Sequence, residues 1–418
     1  MSDAPAYPGM LAAPFQVLAE EASQLAFPLE EYVSRMRRVR GLMAEARIDL
    51  LYVTTPEHVC YLHGFFASWY KANSPMRYPQ VYGTAIHVDS DDFIHFDSPN
   101  ELPLLTKHSI STDNRFLPSR EAAPNIAFIM GELEARGWLG GTVALEYWSY
   151  VPNRAISTMF EGAFLAEGCR VVDGSAIVRR ARRVKSPAEI AYIEKAVALA
   201  DIGHQTIRRS LRPGMTELEL FGEVTRDMMA AGSEFPALIP IFNAVPVHDG
   251  QSAATGHAMA GRKKIRPGEM LKADLCGVYH RYHGNVMRGY YLGDPPPTMI
   301  DRHRRAAGIF DVFRAHVRAG MTVRAVNEIL RGYCREVGLW DVPGWALGYE
   351  LGLSLPPDWV GEFYFNIRDD KYLDRVFEEN MVTNFESLFS TWLVDTCVYE
   401  PAGARFMSKI PMELMATG

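Results

Sequence analysis

Apolar residues recur at helical spacing from Leu29 to Glu45, where Tyr32, Met36, Val39, Leu42 and Met43 fall on one face. That periodicity predicts a helix. Short runs of β character follow at Asp49–Thr55, Thr84–Val88 and Asp92–His95. A helix is predicted over about Asn125–Arg136, then a strand at Gly141–Leu145 and another near Arg170–Val172. Strands alternating with helices over residues 29–175 predict a small α/β domain.

The clearest helix start in the chain is at Ser186. It suits an N-cap, Pro187 suits the first helical position, and Glu189 completes a capping box. Ile190, Ile193, Ala196, Val197 and Ala200 then mark one apolar face. An internal repeat accompanies this second region. Leu211-Arg-Pro-Gly-Met-Thr216 leads a helix ending at Ala231-Gly232, and Val317-Arg-Ala-Gly-Met-Thr322 leads one ending at Val337-Gly338. Thr216 and Thr322 are placed to N-cap the helices they precede. The offset of 106 residues (211 to 317) is too long for a solenoid and predicts two related helix-and-sheet halves. Two such halves build a curved sheet whose inner face suits a small-molecule site.

Composition narrows the class. A chain of 418 residues calls for two domains, and 48% hydrophobic with 22% charged residues is globular. A formal charge of −7 argues against nucleic-acid partners, which need a basic face. The one dense basic cluster, Arg179, Arg180, Arg182, Arg183 and Lys185, reads as a solvated domain junction. Five scattered cysteines fit reduced thiols. The opening, Met1–Ala19, carries Pro5, Pro8 and Pro14 and does not read as a signal peptide. No apolar run reaches the ~18 residues a bilayer span needs. The expectation is a cytoplasmic protein with no membrane contact, divided into a strap (1–28), a first domain (29–178) and a second (185–418).

Polar groups concentrate in two stretches of the second domain. One runs His257, Asp274, His280, His283, Asn285 and Arg288; the other holds Pro356-Pro357-Asp358-Trp359, Glu362, Glu386 and Asp395. Asp274 and Glu386 each sit in an apolar run that reads as a core strand. An acid there is either paired structurally or held for chemistry.

Val184-Lys-Ser-Pro-Ala-Glu-Ile-Ala, the Arg-Pro-Gly-Met-Thr turn, His257 placed 17 residues before Asp274, and Glu386 after Glu379-Asn-Met-Val resemble the creatinase/aminopeptidase P/methionine aminopeptidase superfamily. The resemblance covers nearly all of 185–418 and, more weakly, the N-terminal half. It implies a pseudo-twofold pita-bread catalytic domain behind a creatinase-like α/β domain, and a homodimer. Metal-dependent peptidases of the superfamily hold a metal pair with two Asp, one His and two Glu. Here Asp274 fits the first Asp, but Asn285 stands at the second. The His position falls at Gly348-Tyr349-Glu350, Glu386 fits the first Glu, and the second falls at Val394, just before Asp395. Two carboxylates with an amide and a phenol do not make an anionic cradle for two divalent ions, so no cofactor is expected, while a single metal on Asp274, Glu386 and a nearby His stays open.

Asp274-Leu-Cys-Gly-Val-Tyr-His280-Arg-Tyr-His283 and Gly352-Leu-Ser-Leu-Pro-Pro-Asp358-Trp359-Val-Gly-Glu362 resemble ectoine hydrolases, which open a cyclic amidine without a metal. Those carry Glu where this chain has Asp274, one methylene shorter. The stretch from Gly64 to Tyr78, with Trp69 and Arg77, differs from them; in the superfamily this loop reaches the partner's site, and its aromatics fit a dimer interface equally well.

The resulting expectation is a metal-independent C–N hydrolase for a small zwitterionic nitrogen compound. His257 would be its acid/base, since imidazole titrates near neutrality, with Asp274 and Glu386 as anchor, nucleophile or base. Arg77 and Arg288 are candidates for a substrate carboxylate, Trp69 and Trp359 for stacking on a flat cation, and His280, His283, Tyr349 and Glu362 for lining. A metal-dependent Xaa-Pro dipeptidase, a lyase on the same scaffold and a non-catalytic binding module remain open as alternatives.

Overall fold

The computed structural model describes residues 24–66, 79–253 and 256–417. The chain divides into two compact units, Met1–Arg182 and Arg183–Gly418. Among the described residues no helix is long and apolar enough to cross a membrane.

The first unit holds α1 (Leu29–Ala46), β1 (Leu50–Val53), α2 (Pro56–His63), β2 (Gly83–His87), β3 (Phe93–Asp97), α3 (Leu102–His108), β4 (Asn114–Phe116), α4 (Ala122–Ala135), β5 (Thr142–Leu145), α5 (Arg154–Ala166), β6 (Arg170–Asp173) and α6 (Ser175–Arg183). Its sheet runs in the order β4-β3-β2-β1-β5-β6, with β1 central and buried at all four positions. Tyr52, Phe96, Phe160 and Phe164 fill its core. The expected α/β domain is present. Helices α2, α3, α5 and α6 and strand β4 are additions to the elements that periodicity identified.

The second unit begins with α7 (Pro187–Ser210), where the Ser186–Glu189 capping box forms with both bonds in place. Next come α8 (Glu217–Ala230), β7 (Phe242–His248), β8 (Gln251–Ser252), β9 (Glu269–Tyr279) and β10 (Tyr282–Leu292). The second half follows as α9 (Pro297–His316), α10 (Val323–Glu336), β11 (Trp345–Tyr349), β12 (Tyr364–Asn366), β13 (Val382–Leu388), β14 (Leu393–Glu400), β15 (Gly403–Phe406) and β16 (Met415–Thr417). The main sheet runs β12-β11-β13-β14-β10-β9-β7-β8.

The sequence repeat is a structural repeat. Thr216 and Thr322 both cap their helices through the side chain. Each also makes an isolated antiparallel bridge, to Lys264 and to Val376. Gly214 and Gly320 occupy the same left-handed turn position, with φ of 88° and 90°.

One face of the sheet is packed by helices. A Cβ on Gly277 would stand 1.9 Å from the Ala196 carbonyl oxygen, and one on Gly284 2.5 Å from the Val197 nitrogen, so α7 lies directly on β9 and β10. In the second half, Phe310 and Phe313 of α9 meet Phe385 of β13 at ring-centroid distances of 5.0 and 4.2 Å.

Candidate active site

Strand alternation decides which side chains meet. Asp274 stands opposite Met287 and Cys276 opposite Asn285 in the β9/β10 ladder. Glu386 stands opposite Val394 and Asn384 opposite Thr396 in the β13/β14 ladder, and the two ladders join at Met287 and Val394. Cross-strand partners share a face, as do residues two apart. Asp274, Asn285, Asn384, Glu386 and Val394 therefore project from one face, opposite the side that Gly277, Gly284 and Phe385 turn to α7 and α9. Leu347 pairs with Glu386, which puts Tyr349 on this face too.

A chain of hydrogen bonds joins the two acids. Asn285 Nδ2 donates to Asp274 Oδ1 (2.6 Å), and Asn384 Nδ2 donates to Glu386 Oε1 (2.8 Å) and to Asn285 Oδ1 (3.3 Å). The Tyr349 N–H donates to Asn384 Oδ1 (2.9 Å), fixing the orientation of that amide. The Tyr349 hydroxyl hydrogen-bonds Glu386 and accepts from Trp359 Nε1 (3.3 Å). Thr396 Oγ1 accepts the Asn285 N–H and donates to its carbonyl, both at 2.9 Å, holding β10 against β14.

Both carboxyls are held away from their ordinary ionisation. Burial pushes Asp274 up to about 7, opposed by the Asn285 bond. Burial and then the Asp274 charge push Glu386 up to about 8. Burial, Glu386 and Asp274 together push the Tyr349 phenol well up, so it stays neutral. Glu386 nevertheless keeps a partly accessible edge. The arrangement is a proton-holding acid pair on one face of the sheet, the pattern expected where carboxyls exchange protons near neutral pH.

The M24 family, described as "Metallopeptidase family M24", matches residues 191–408, more than half of the chain. The chain belongs to metallopeptidase family M24. A "Creatinase/Prolidase N-terminal domain" matches residues 35–184. The chain is 26% identical over 377 residues to the ectoine hydrolase of Halomonas elongata, covering 86% of this chain and 90% of that protein. It is 25% identical over 393 residues to the Xaa-Pro dipeptidase of Pyrococcus furiosus, covering 91% and 99%. The fold matches the Xaa-Pro dipeptidase structure from Bacillus anthracis with a TM-score of 0.74 at 18% identity, covering 92% and 100%. The pita-bread fold and the creatinase-like first domain are thus those of known M24 hydrolases.

Within this M24 site the structure brings together Asp274, Glu386, Tyr349 and Trp359, and separates other expected members. Arg288 is one residue out of phase with Asp274 and points to the helix face. Its five N–H groups go to the carbonyls of Met287, Val394, Ile410 and Pro411 and to Asp395 Oδ2 (3.0 Å), so no donor remains for a substrate carboxylate. His283 shares the site face and lies 6.2 Å from the Trp359 ring, but both its nitrogens are bound by backbone, to Ala237 N–H and the Arg281 carbonyl. It is a structural histidine, not a substrate contact. His280 occupies the β9–β10 turn and stacks on Tyr192 of α7. Six residues of extended strand, roughly 20 Å, separate it from Asp274. Glu362 leans on Arg375 (3.9 Å).

The backbone beside His257 is tied to the site edge. The Phe242 N–H donates to the Ala258 carbonyl (3.0 Å), and the adjacent Ile241 carbonyl accepts the Asp274 N–H (2.9 Å). The His257 ring itself is exposed, and none of the described residues hydrogen-bonds it. Trp69, Arg77 and most of the N-terminal strap lie outside the described residues.

Sequence reasoning missed Asn384, the amide linking the two halves. Its signal was there: Thr383-Asn384-Phe385-Glu386 alternates, which places Asn384 beside Glu386 once the segment is a strand. It also missed Lys272, two residues before Asp274 on the same face, whose ammonium lies 3.6 Å from the Trp392 ring centroid. Burial lowers that lysine to about 8.

Proposed function

We propose that this chain is a hydrolase that cleaves a non-peptide C–N bond in a small zwitterionic nitrogen compound, a cyclic amidine or guanidino acid, and does so without a metal. The observation that carries the proposal is the acid pair. Asp274 and Glu386 are joined through two amides that donate to them, and both are held near neutral pKa values. A divalent pair does not fit this donor set. The groups between the acids present N–H, the phenol of Tyr349 stays protonated, and the Val394 side chain offers no donor atom. Among the described residues no group of three or more His, Cys, Asp or Glu is placed to hold a metal ion.

At neutral pH two coupled carboxyls with raised pKa values retain roughly one proton or more between them. As water bonds to the amidinium carbon, the ionised carboxyl takes its proton. The protonated carboxyl returns one to nitrogen as the C–N bond breaks. Asn285, Asn384 and Tyr349 orient the two acids for this exchange, and Trp359 holds the phenol. His257, solvent-exposed on a segment pinned beside Asp274, is the group suited to exchange protons with water. The ectoine hydrolase relative supports the C–N reading, and the dipeptidase relative, at similar identity, supports the hydrolase class.

Incubation with ectoine, creatine and an Xaa-Pro dipeptide, followed by proton NMR, tests the proposal. Ring opening of ectoine or release of urea from creatine is expected, and its loss in Glu386→Gln. Proline release from the dipeptide with neither of those reactions would overturn the reading in favour of a dipeptidase.

A further inference from the structure

A cavity of about 200 Å³ lies between α8, the 233–240 segment and the edge of β9. Phe221, Met228, Met229, Phe235, Ile239 and Pro240 supply its apolar wall, and Cys276 lies at its floor. Phe235 and Ile239 are 72% and 62% exposed, so the rim faces solvent. Its acidic and seryl side chains are already engaged. Glu234 accepts from the N–H groups of His280 and Arg281, and Ser233 Oγ accepts from the Val278 N–H.

The floor carries a gap in the sheet's hydrogen bonding. Strand β7 stops pairing with β9 at Ala273. Past that point the even-numbered residues of β9 turn their backbone groups to this edge. The Asp274 N–H reaches Ile241, and the Val278 carbonyl accepts from the Glu234 N–H (3.0 Å). Cys276 has the same parity. Its cross-strand neighbour Asn285 sends its own N–H and carbonyl to Thr396, so the Cys276 groups point away from β10 and toward the cavity. Cys276 is 1% exposed, and among the described residues no bond outside the strand ladders reaches its N–H or carbonyl. Buried backbone groups without partners are rare. The segment opposite cannot close the gap fully, because Pro236 and Pro240 have no N–H to give.

We infer that this cavity is a second small-molecule site, which takes an apolar ring bearing one carboxamide or lactam group. Its carbonyl accepts from the Cys276 N–H and its N–H donates to the Cys276 carbonyl. A single unpaired residue offers one donor and one acceptor, enough for one amide and too little for an added strand. The volume is right for the ring: an apolar cavity of about 150 Å³ holds benzene. The site adjoins Asp274 along the strand but uses the sheet's edge, not the face bearing the acids. Its failure would leave the hydrolase reading untouched.

Benzamide is a probe of this chemistry. Protein labelled with ¹⁵N-cysteine gives an amide signal for each of the five cysteines, and Cys276→Ala identifies the one in question. Titration to about 10 mM, enough to populate even a millimolar site, is expected to move the Cys276 signal saturably. The signals of Cys60, Cys169, Cys334 and Cys397 stay in place. Toluene, lacking the amide, is expected to move it far less. Thr225→Phe, which fills the cavity from α8, is expected to abolish the response while the other four signals keep their positions. No saturable shift, an equal response to toluene, or a shift that survives Thr225→Phe would each overturn the assignment.

Discussion

Asp274 and Glu386 are costly where they sit, and the cost has a pH signature. Their folded pKa values are raised, by burial first, to about 7 and about 8. The stability associated with them is therefore fully present below the unfolded carboxyl range, about pH 4, and is lost as pH rises through the folded values. Asp274→Asn cannot ionise and keeps an acceptor for Asn285. Relative to the parent it is expected to gain on the order of a few kcal/mol in urea unfolding at pH 8 and almost nothing at pH 4. The same variant is expected to lose turnover at least about 10²-fold. An advantage that does not grow with pH would mean the acid is not held protonated. Arg288 behaves oppositely. It neutralises buried Asp395 on the helix face, so Arg288→Met strands that carboxylate and is expected to cost about 3–5 kcal/mol. A variant of normal stability with a raised KM would restore Arg288 to the substrate site.

At the scale of elements, the glycines of β9 and β10 set how closely the helix lies on the sheet. Gly277→Ala drives a methyl into the backbone of α7, and strand and helix must separate. A loss of about 1–3 kcal/mol is expected, read as a lower urea midpoint at unchanged m; an unshifted midpoint would contradict this packing. Elements with strong local signals were legible in the sequence. The Ser186 capping box and the two Gly-Met-Thr turns are local chemistry, and they appear as read. Helix α5 was not legible. Its stripe of Ile156, Phe160 and Phe164 is short and interrupted by Ser157, Thr158 and Gly162. The turn at His280-Arg281 has positive φ at both residues, a conformation usually announced by Asn-Gly. The acids of the site were legible as acids on strands. The register was not, and that is why Arg288, one residue from the site face, was misassigned.

On the scale of the whole second unit, the duplication explains why chemistry gathers where it does. Asp274 belongs to the first half's strand pair and Glu386 to the second's. The Asn285–Asn384 hydrogen bond ties the two halves together, and the Asp274 charge acts on Glu386 across them. Between the two carboxylates stand amides that donate hydrogen bonds in place of offering charge. Lys185, from the Val-Lys-Ser-Pro-Ala-Glu segment, pairs with buried Glu350 (2.8 Å), and Tyr282 donates to Glu189 (2.8 Å). Two buried polar pairs therefore tie that segment into the fold.

The Asp274–Glu386 pair is proposed to work as a proton-transfer couple without a metal. The most direct test is metal analysis of protein purified without added ions, combined with ectoine and creatine turnover in the presence of chelator. Metal well below one equivalent per chain is expected, with turnover that chelator does not reduce and Mn²⁺ or Co²⁺ does not raise. Stoichiometric metal, with activity abolished by chelator and restored by the ion, would contradict it.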